Sequence, residues 1–253
     1  MPSLFSLPTK SRVISFVWQH ILLLISLYLM TLGVVLCIRS ELGCGVISSL
    51  PLSLSIAGEC GKVPALTLGN YNIIQNIIFV ALQIMILRRR FEIVQLFQLL
   101  IGWVFGRLID LNMLLTSNML CDGLLEFAVV QIVGCTIMAV GIAFEVRCGS
   151  VTMPGEGLPV AISRITGKPF PKIKIYIDTL LVILAVSSCY LFFGVWKWNI
   201  IGPGTLFAMI YVGLFVKFVS SHTKWFDRLL KYQPGFRRYI FGLAKFIYRR
   251  NND

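Results

Sequence analysis

The sequence predicts an all-α polytopic membrane protein. Its six transmembrane helices form two inverted three-helix repeats, each with a short broken or re-entrant segment, and a C-terminal amphipathic tail follows. Three observations carry this. The 253-residue chain is 57% hydrophobic and 13% charged, with mean hydropathy +0.83, whereas a soluble domain is roughly half apolar and a quarter charged. Several apolar runs approach or exceed the ~18 residues that mark a membrane-spanning helix. Finally, one motif occurs twice. Gly33–Ser55 (GVVLCIRSELGCGVISSLPLSLS) aligns without a gap on Gly141–Ser163 (GIAFEVRCGSVTMPGEGLPVAIS), placing Gly33 on Gly141, Arg39 on Arg147, Leu50 on Leu158, Pro51 on Pro159 and Ser55 on Ser163. A duplicated broken helix in a membrane chain points to a transporter-like core.

The spans fall at roughly 14–38, 69–87, 93–115, 124–146, 174–195 and 199–220. Two apolar segments, 44–57 and 157–165, are too short to cross, since a ~30 Å hydrocarbon core needs about 20 helical residues. They read as half-helices or re-entrant segments, which persist only where protein or a watery cavity satisfies their backbone; the other reading is a pair of loop helices. Three regions follow: membrane repeat 1 over 1–123, membrane repeat 2 over 124–221 and a basic tail over 222–253.

The first span is too long for a signal-peptide core and lacks a small-residue cleavage site. Lys10, Arg12, Arg88–Arg90, Arg164, Lys168, Lys172 and the tail share one side, and only Arg39, Lys62 and Lys197 fall on the other. The positive-inside rule therefore places both termini in the cytoplasm of a multi-pass inner (plasma) membrane protein. With three full spans per repeat, the second copy enters from the opposite face. The match continues more weakly, with Phe91–Val94 on Trp198–Ile201, Leu99 on Leu206 and Gly106 on Gly213.

Of seven cysteines, Cys37, Cys135 and Cys189 sit in apolar runs and act as small hydrophobes. Cys60 and Cys121 share the predicted outer side, where an oxidising compartment would permit a bridge. No CxxC pair or His cluster suggests a metal, and no cofactor motif occurs. The tail carries eight basic and two acidic residues. Phe236, Tyr239, Ile240, Leu243, Phe246 and Ile247 share one helical face, and Arg237, Arg238, Lys245 and Arg249 the other. That pattern fits a helix lying on anionic lipid rather than on nucleic acid.

Ionisable residues within spans are costly and are functional candidates by default. Arg39, Glu145 and Arg147 sit at the joints between long and short segments, Glu156 in the second Gly-rich stretch, Asp178 in span five, Arg107 and Asp110 in span three, and Lys217 in span six. Asn72, Gln75, Asn76 and Gln83 add polar groups to span two. The short segments start after Gly43/Gly45 and Gly155/Gly157, so free N–H groups and positive dipole ends would face the joints. With Arg39 and Arg147, and with Asp178 in the neighbouring span, they would suit a substrate carboxylate or phosphate, while Glu145, Glu156 or Asp110 takes a proton or balances charge. The alternative is structural: Arg147 pairs with Glu145 or Glu156, and Arg39 with Glu41 or a lipid headgroup. Arg107 and Asp110 are spaced to pair locally. Gly102-x-x-x-Gly106 permits close helix approach, within the chain or in a homodimer.

Pro154-Gly155-Glu156-Gly157-Leu158, Ala161-Ile162-Ser163, Thr166-Gly167, Lys172-Ile173-Lys174, Asp178 and Gly202-Pro203-Gly204-Thr205 resemble the second-half signature of the bacterial YitT/YczE/YyaS membrane-protein family. Arg39, Leu42-Gly43, Thr67-Leu68-Gly69, Asn72, Arg88-Arg89 and Asp110 fit its first half. The resemblance spans about residues 28–220 and implies a bacterial inner-membrane protein of about six spans; it supplies no substrate.

The sequence supports a small transporter or permease for an anionic or zwitterionic molecule, acting by alternating access between inverted halves. The alternative is a non-transporting accessory protein or scaffold that works through a partner or lipid. An intramembrane enzyme is disfavoured, because no nucleophile–base pair or paired carboxylates stand at diagnostic spacing.

Overall fold

The computed structural model describes residues 10–88, 91, 93–119, 121–148 and 153–222. Among them are eight α-helices and no strand: α1 (Lys10–Arg39), α2 (Val46–Glu59), α3 (Leu68–Leu87), α4 (Phe97–Leu115), α5 (Leu124–Cys148), α6 (Pro154–Thr166), α7 (Phe170–Phe193) and α8 (Pro203–His222). Six are long and apolar enough to span: Val17–Arg39, Leu68–Leu87, Phe97–Leu115, Leu124–Val146, Lys172–Phe193 and Pro203–His222. The short helices α2 and α6 stand where the sequence puts its two broken segments. The chain is a multi-pass membrane protein.

Helix ends follow local chemistry. Thr67 caps α3, its hydroxyl accepting from Asn70 N at 3.2 Å. Proline opens α6, α7 and α8, where its missing N–H costs nothing and its φ is already helical. This moves α6 forward. The sequence reading starts that segment after Gly157, but the helix begins at Pro154 and carries Gly155 and Gly157 within its first turn.

Packing displays the repeat. α1 lies along α5, the helix that aligns with it in sequence. A Cβ placed on Gly33 would meet Gly134 O and Met138 N, both at 2.6 Å, and one placed on Gly141 would meet Met30 N at 2.8 Å and Ser26 O at 2.9 Å. The 108-residue offset of the repeat carries Ser26 to 134, Met30 to 138 and Gly33 to 141. Each contact therefore has a mate under exchange of the two helices, as in an isologous dimer interface. Ser26 Oγ donates to Gly141 O at 2.7 Å, and Ser40 Oγ donates to Gln131. As numbering rises along α1 it falls along α5, so the two are antiparallel. Equivalent helices that run antiparallel make the repeats inverted. Lipid tails give two helices no hydrophobic reason to associate, so small residues and polar pairs supply the close approach.

The remaining contacts obey the same exchange, with two exceptions. α2 packs on α3 and α7 while α6 packs on α7 and α3, and α4 packs on α1 as α8 does on α5. α4 also packs closely on α3 and lightly on α6, but neither the corresponding α7–α8 nor the corresponding α8–α2 contact is a packed interface among the described residues.

The two short helices run opposite ways along α3. Going down α2, Ile47 lies at Gln75, Ser55 at Leu66 and Gly58 at Pro64. Going down α6, Gly155 lies at Phe79 and Gly157 at Gln83. Both therefore start alongside the middle of α3 and leave toward its opposite ends.

Candidate functional site where the two short helices meet

The break between α1 and α2 has its backbone satisfied by protein. Leu42 O accepts from Gly204 N at 2.8 Å, and Cys44 N donates to Ile200 O at 3.2 Å. Gly43 holds φ +109°, and a Cβ there would lie 2.6 Å from both Gly202 N and Thr205 Oγ1. No other residue fits that backbone at that distance. Thus the first joint is docked on the start of α8. The corresponding residues 149–152 lie outside the described set. Met153 N donates to Glu145 Oε1 at 3.2 Å, which ties the start of α6 back to the end of α5.

Neither short helix has a side-chain cap: Gly45 precedes α2 and Met153 precedes α6. Their first-turn N–H groups keep the partial positive charge of a helix start. The two starts touch, since a Cβ on Gly155 would lie 3.1 Å from Ile47 Cδ1 and 3.8 Å from Phe79 Cε2. Among the described residues, nothing stands within 4 Å of the Cβ position of Gly45.

α3 supplies the polar wall of this junction. Asn72, Gln75, Asn76 and Gln83 are all buried, at spacings of three, four and seven that place them along one face. Gln75 Nε2 donates to Ile47 O at 2.8 Å in the first turn of α2. Gln83 Nε2 donates to Pro154 O at 3.3 Å in the first turn of α6, and to Gln98 Oε1 at 3.1 Å. Two glutamines two helical turns apart thus each hold the start of one short helix. Gln75 Oε1 is buried without a hydrogen-bond partner among the described residues. Gly157 passes between Gln83 and Gln98, whose side-chain oxygens would each lie 2.8 Å from a Cβ there.

The structure gathers some sequence candidates and separates others. Gly45, Glu145, Gly155, Glu156 and Gly157 stand at the two helix starts or on the strap to α5, with Glu156 half-buried in the first turn of α6. Gly43 is used for the α8 contact. Arg39 points elsewhere: Nη2 donates to Met113 O at 2.9 Å and Nε to Thr116 Oγ1 at 3.2 Å, so the guanidinium closes the carbonyl end of α4. A cation there suits the negative end of the helix. Asp110 occupies the opposite kind of end, accepting from Thr67 Oγ1 and Gly69 N at 2.8 Å each at the start of α3. Asp178 pairs with Lys174 at 3.1 Å on its own helix. Arg147 lies on α5 with its side chain outside the described set, and Arg237, Arg238, Lys245 and Arg249 fall in the undescribed 223–253. Cys60 and Cys121 are both free thiols.

A family model matches residues 17–221, the region that contains the repeats and the junction. The chain belongs to a family of unknown function, DUF6198. The matching description carries no YitT, YczE or YyaS designation. No curated protein and no solved structure matches the chain.

Proposed function

We propose that this DUF6198 member is a small membrane carrier that binds an anionic or zwitterionic molecule where α2 and α6 begin. One observation carries the reading: two short helices, related by an inverted repeat, start against each other at the middle of α3 with uncapped first turns. Such ends attract a carboxylate or phosphate. Glu145 and Glu156 stand close enough to balance its charge or to take a cationic group on the same molecule. Lysine and arginine placement supports an inner-membrane protein with both termini in the cytoplasm. The second-half motifs support kinship with YitT/YczE/YyaS-type proteins. No catalytic step and no cofactor is part of this proposal.

The experiment is counterflow in proteoliposomes with a labelled monocarboxylate, phosphate and a zwitterionic amino acid. Flux of at least one class is expected from the natural sequence. Gly155→Val, which drives a side chain into Ile47, should be about tenfold slower while still eluting as folded protein. Absence of flux for all three classes would remove the carrier reading and favour an accessory membrane protein.

A further inference from the structure

The larger of the two contacts that the internal symmetry leaves unmatched among the described residues is that between α7 and α8. In the first repeat, α3 closes on α4 through glycine. A Cβ on Gly106 would lie 2.6 Å from Gly69 O, and one on Gly102 would lie 3.0 Å from Asn76. Asp110 then latches the start of α3 through Thr67 and Gly69. In the second repeat the equivalent of Gly106 is Gly213, which is exposed and has nothing within 4 Å of its Cβ position among the described residues. The same 107-residue offset puts Tyr176 at the place of Gly69 and Lys217 at the place of Asp110. Tyr176 is 64% exposed. Lys217 is exposed and is in no ion pair among the described residues. α8 is held by α5 alone among the packed helix pairs, and 17% of its span is buried, the least of the six.

The geometry points to a second conformation of this chain in which α7 closes on α8 as α3 closes on α4 here. In it Tyr176 covers Gly213, and Asp178 exchanges Lys174 for Lys217. The register follows from the closed repeat. The Gly69–Gly106 and Asp110–Gly69 contacts transfer to Tyr176–Gly213 and Lys217–Tyr176, one helical turn or less from Asp178. A glycine facing a tyrosine leaves room for the ring where the first repeat sets glycine against glycine. A lysine stem reaches across about one turn, and the pair it makes replaces one already present on α7. The exchange therefore trades one ion pair for another and adds side-chain packing between α7 and α8. By the inverted symmetry, the partner movement is loosening of α3 from α4. One sequence then has two nearly equivalent packings, each open toward a different end of the repeat. The carrier reading gives this exchange a purpose, but the closure itself does not depend on that reading.

The test joins Tyr176→Cys to Gly213→Cys in a chain with Cys60 and Cys121 replaced by serine, and treats membranes with a short bis-maleimide. An intramolecular cross-link is expected, detected as a peptide linking α7 to α8. Lys217→Glu should lower its yield about fivefold, the scale of one exposed ion pair, and adding Asp178→Lys should restore it. A cross-link only between two chains would show that a second copy covers Gly213, and would overturn the proposal. So would absence of the cross-link in protein that remains folded and inserted, or a yield indifferent to both charge changes. Failure of counterflow with the cross-link present would sink the carrier reading and leave this closure standing.

Discussion

Gly33→Ala and Gly141→Ala probe the crossing of α1 and α5, on which the inverted arrangement depends. At Gly33 the added carbon would sit 2.6 Å from Gly134 O, Met138 N and Met138 Cβ, and at Gly141 2.7 Å from Met30 Cγ and 2.8 Å from Met30 N. Backbone atoms are among these neighbours, so relief requires the helices to separate. Overpacking of this kind costs about 1–3 kcal/mol, or roughly 2–4 °C of thermal stability per kcal/mol in a chain of this size. Because both glycines lie on one crossing related by the pseudo-two-fold, a single separation relieves both clashes. The double variant should therefore be less destabilised than the sum of the singles by about 1 kcal/mol. Thermal unfolding in detergent reads all four proteins, with Gly213→Ala, which faces open space, as a near-neutral control. Strict additivity, or a Gly33→Ala protein as stable as the natural one, would refute the shared crossing.

Other outcomes follow from the same contacts. Asp110→Asn removes charge from two hydrogen bonds at the start of α3 and should cost about 1–2 kcal/mol by thermal unfolding, since the carboxylate is partly exposed. Asp178→Asn, which loses one local ion pair with Lys174, should cost less than about 1 kcal/mol. Gln83→Leu removes the donor that holds Pro154 O and Gln98. It should slow counterflow more than it lowers the unfolding temperature, and an unchanged rate would disconnect α3 from the site. Maleimide in mild detergent should modify Cys60 before Cys44, Cys37, Cys135 or Cys189, because Cys60 is exposed and the others are buried; mass spectrometry of partly labelled protein reads the order.

Much of this fold is legible in the chain, because membrane spans are written in composition and the repeat in aligned residues. Span lengths, the two short segments and their inverted sense all follow from one-dimensional signals. What fails to show in sequence is partnership across space. Arg39 sits at a joint, which suggests a ligand, yet its guanidinium reaches the end of α4, 74 residues away. Asp110 lies three residues from Arg107, which suggests a local pair, but the contact is a looser 3.8 Å while both carboxylate oxygens hold the start of α3. Gly155 and Gly157 look like a linker before a helix; they are its first turn, kept bare because Ile47, Phe79, Gln83 and Gln98 fill the space. The glutamines of α3 stand out as polar groups in a span, and their spacing already defines one face. Which carbonyls they would hold required the positions of α2 and α6. The open α7–α8 contact is only half visible in sequence: Gly213 aligns with Gly106 as though both were packed, while Tyr176 and Lys217 replace Gly69 and Asp110.

The opposed exits of α2 and α6 are the central claim, and sided labelling tests them most directly. Native Cys60 marks the end of α2 in a Cys121→Ser background, and Thr166→Cys marks the end of α6 in a chain with both Cys60 and Cys121 replaced by serine, so that each is the single exposed cysteine among the described residues. In intact cells an impermeant maleimide should label one, and the other should react only after the membrane is opened. Labelling of both from the same face would contradict the inverted architecture and the site built on it.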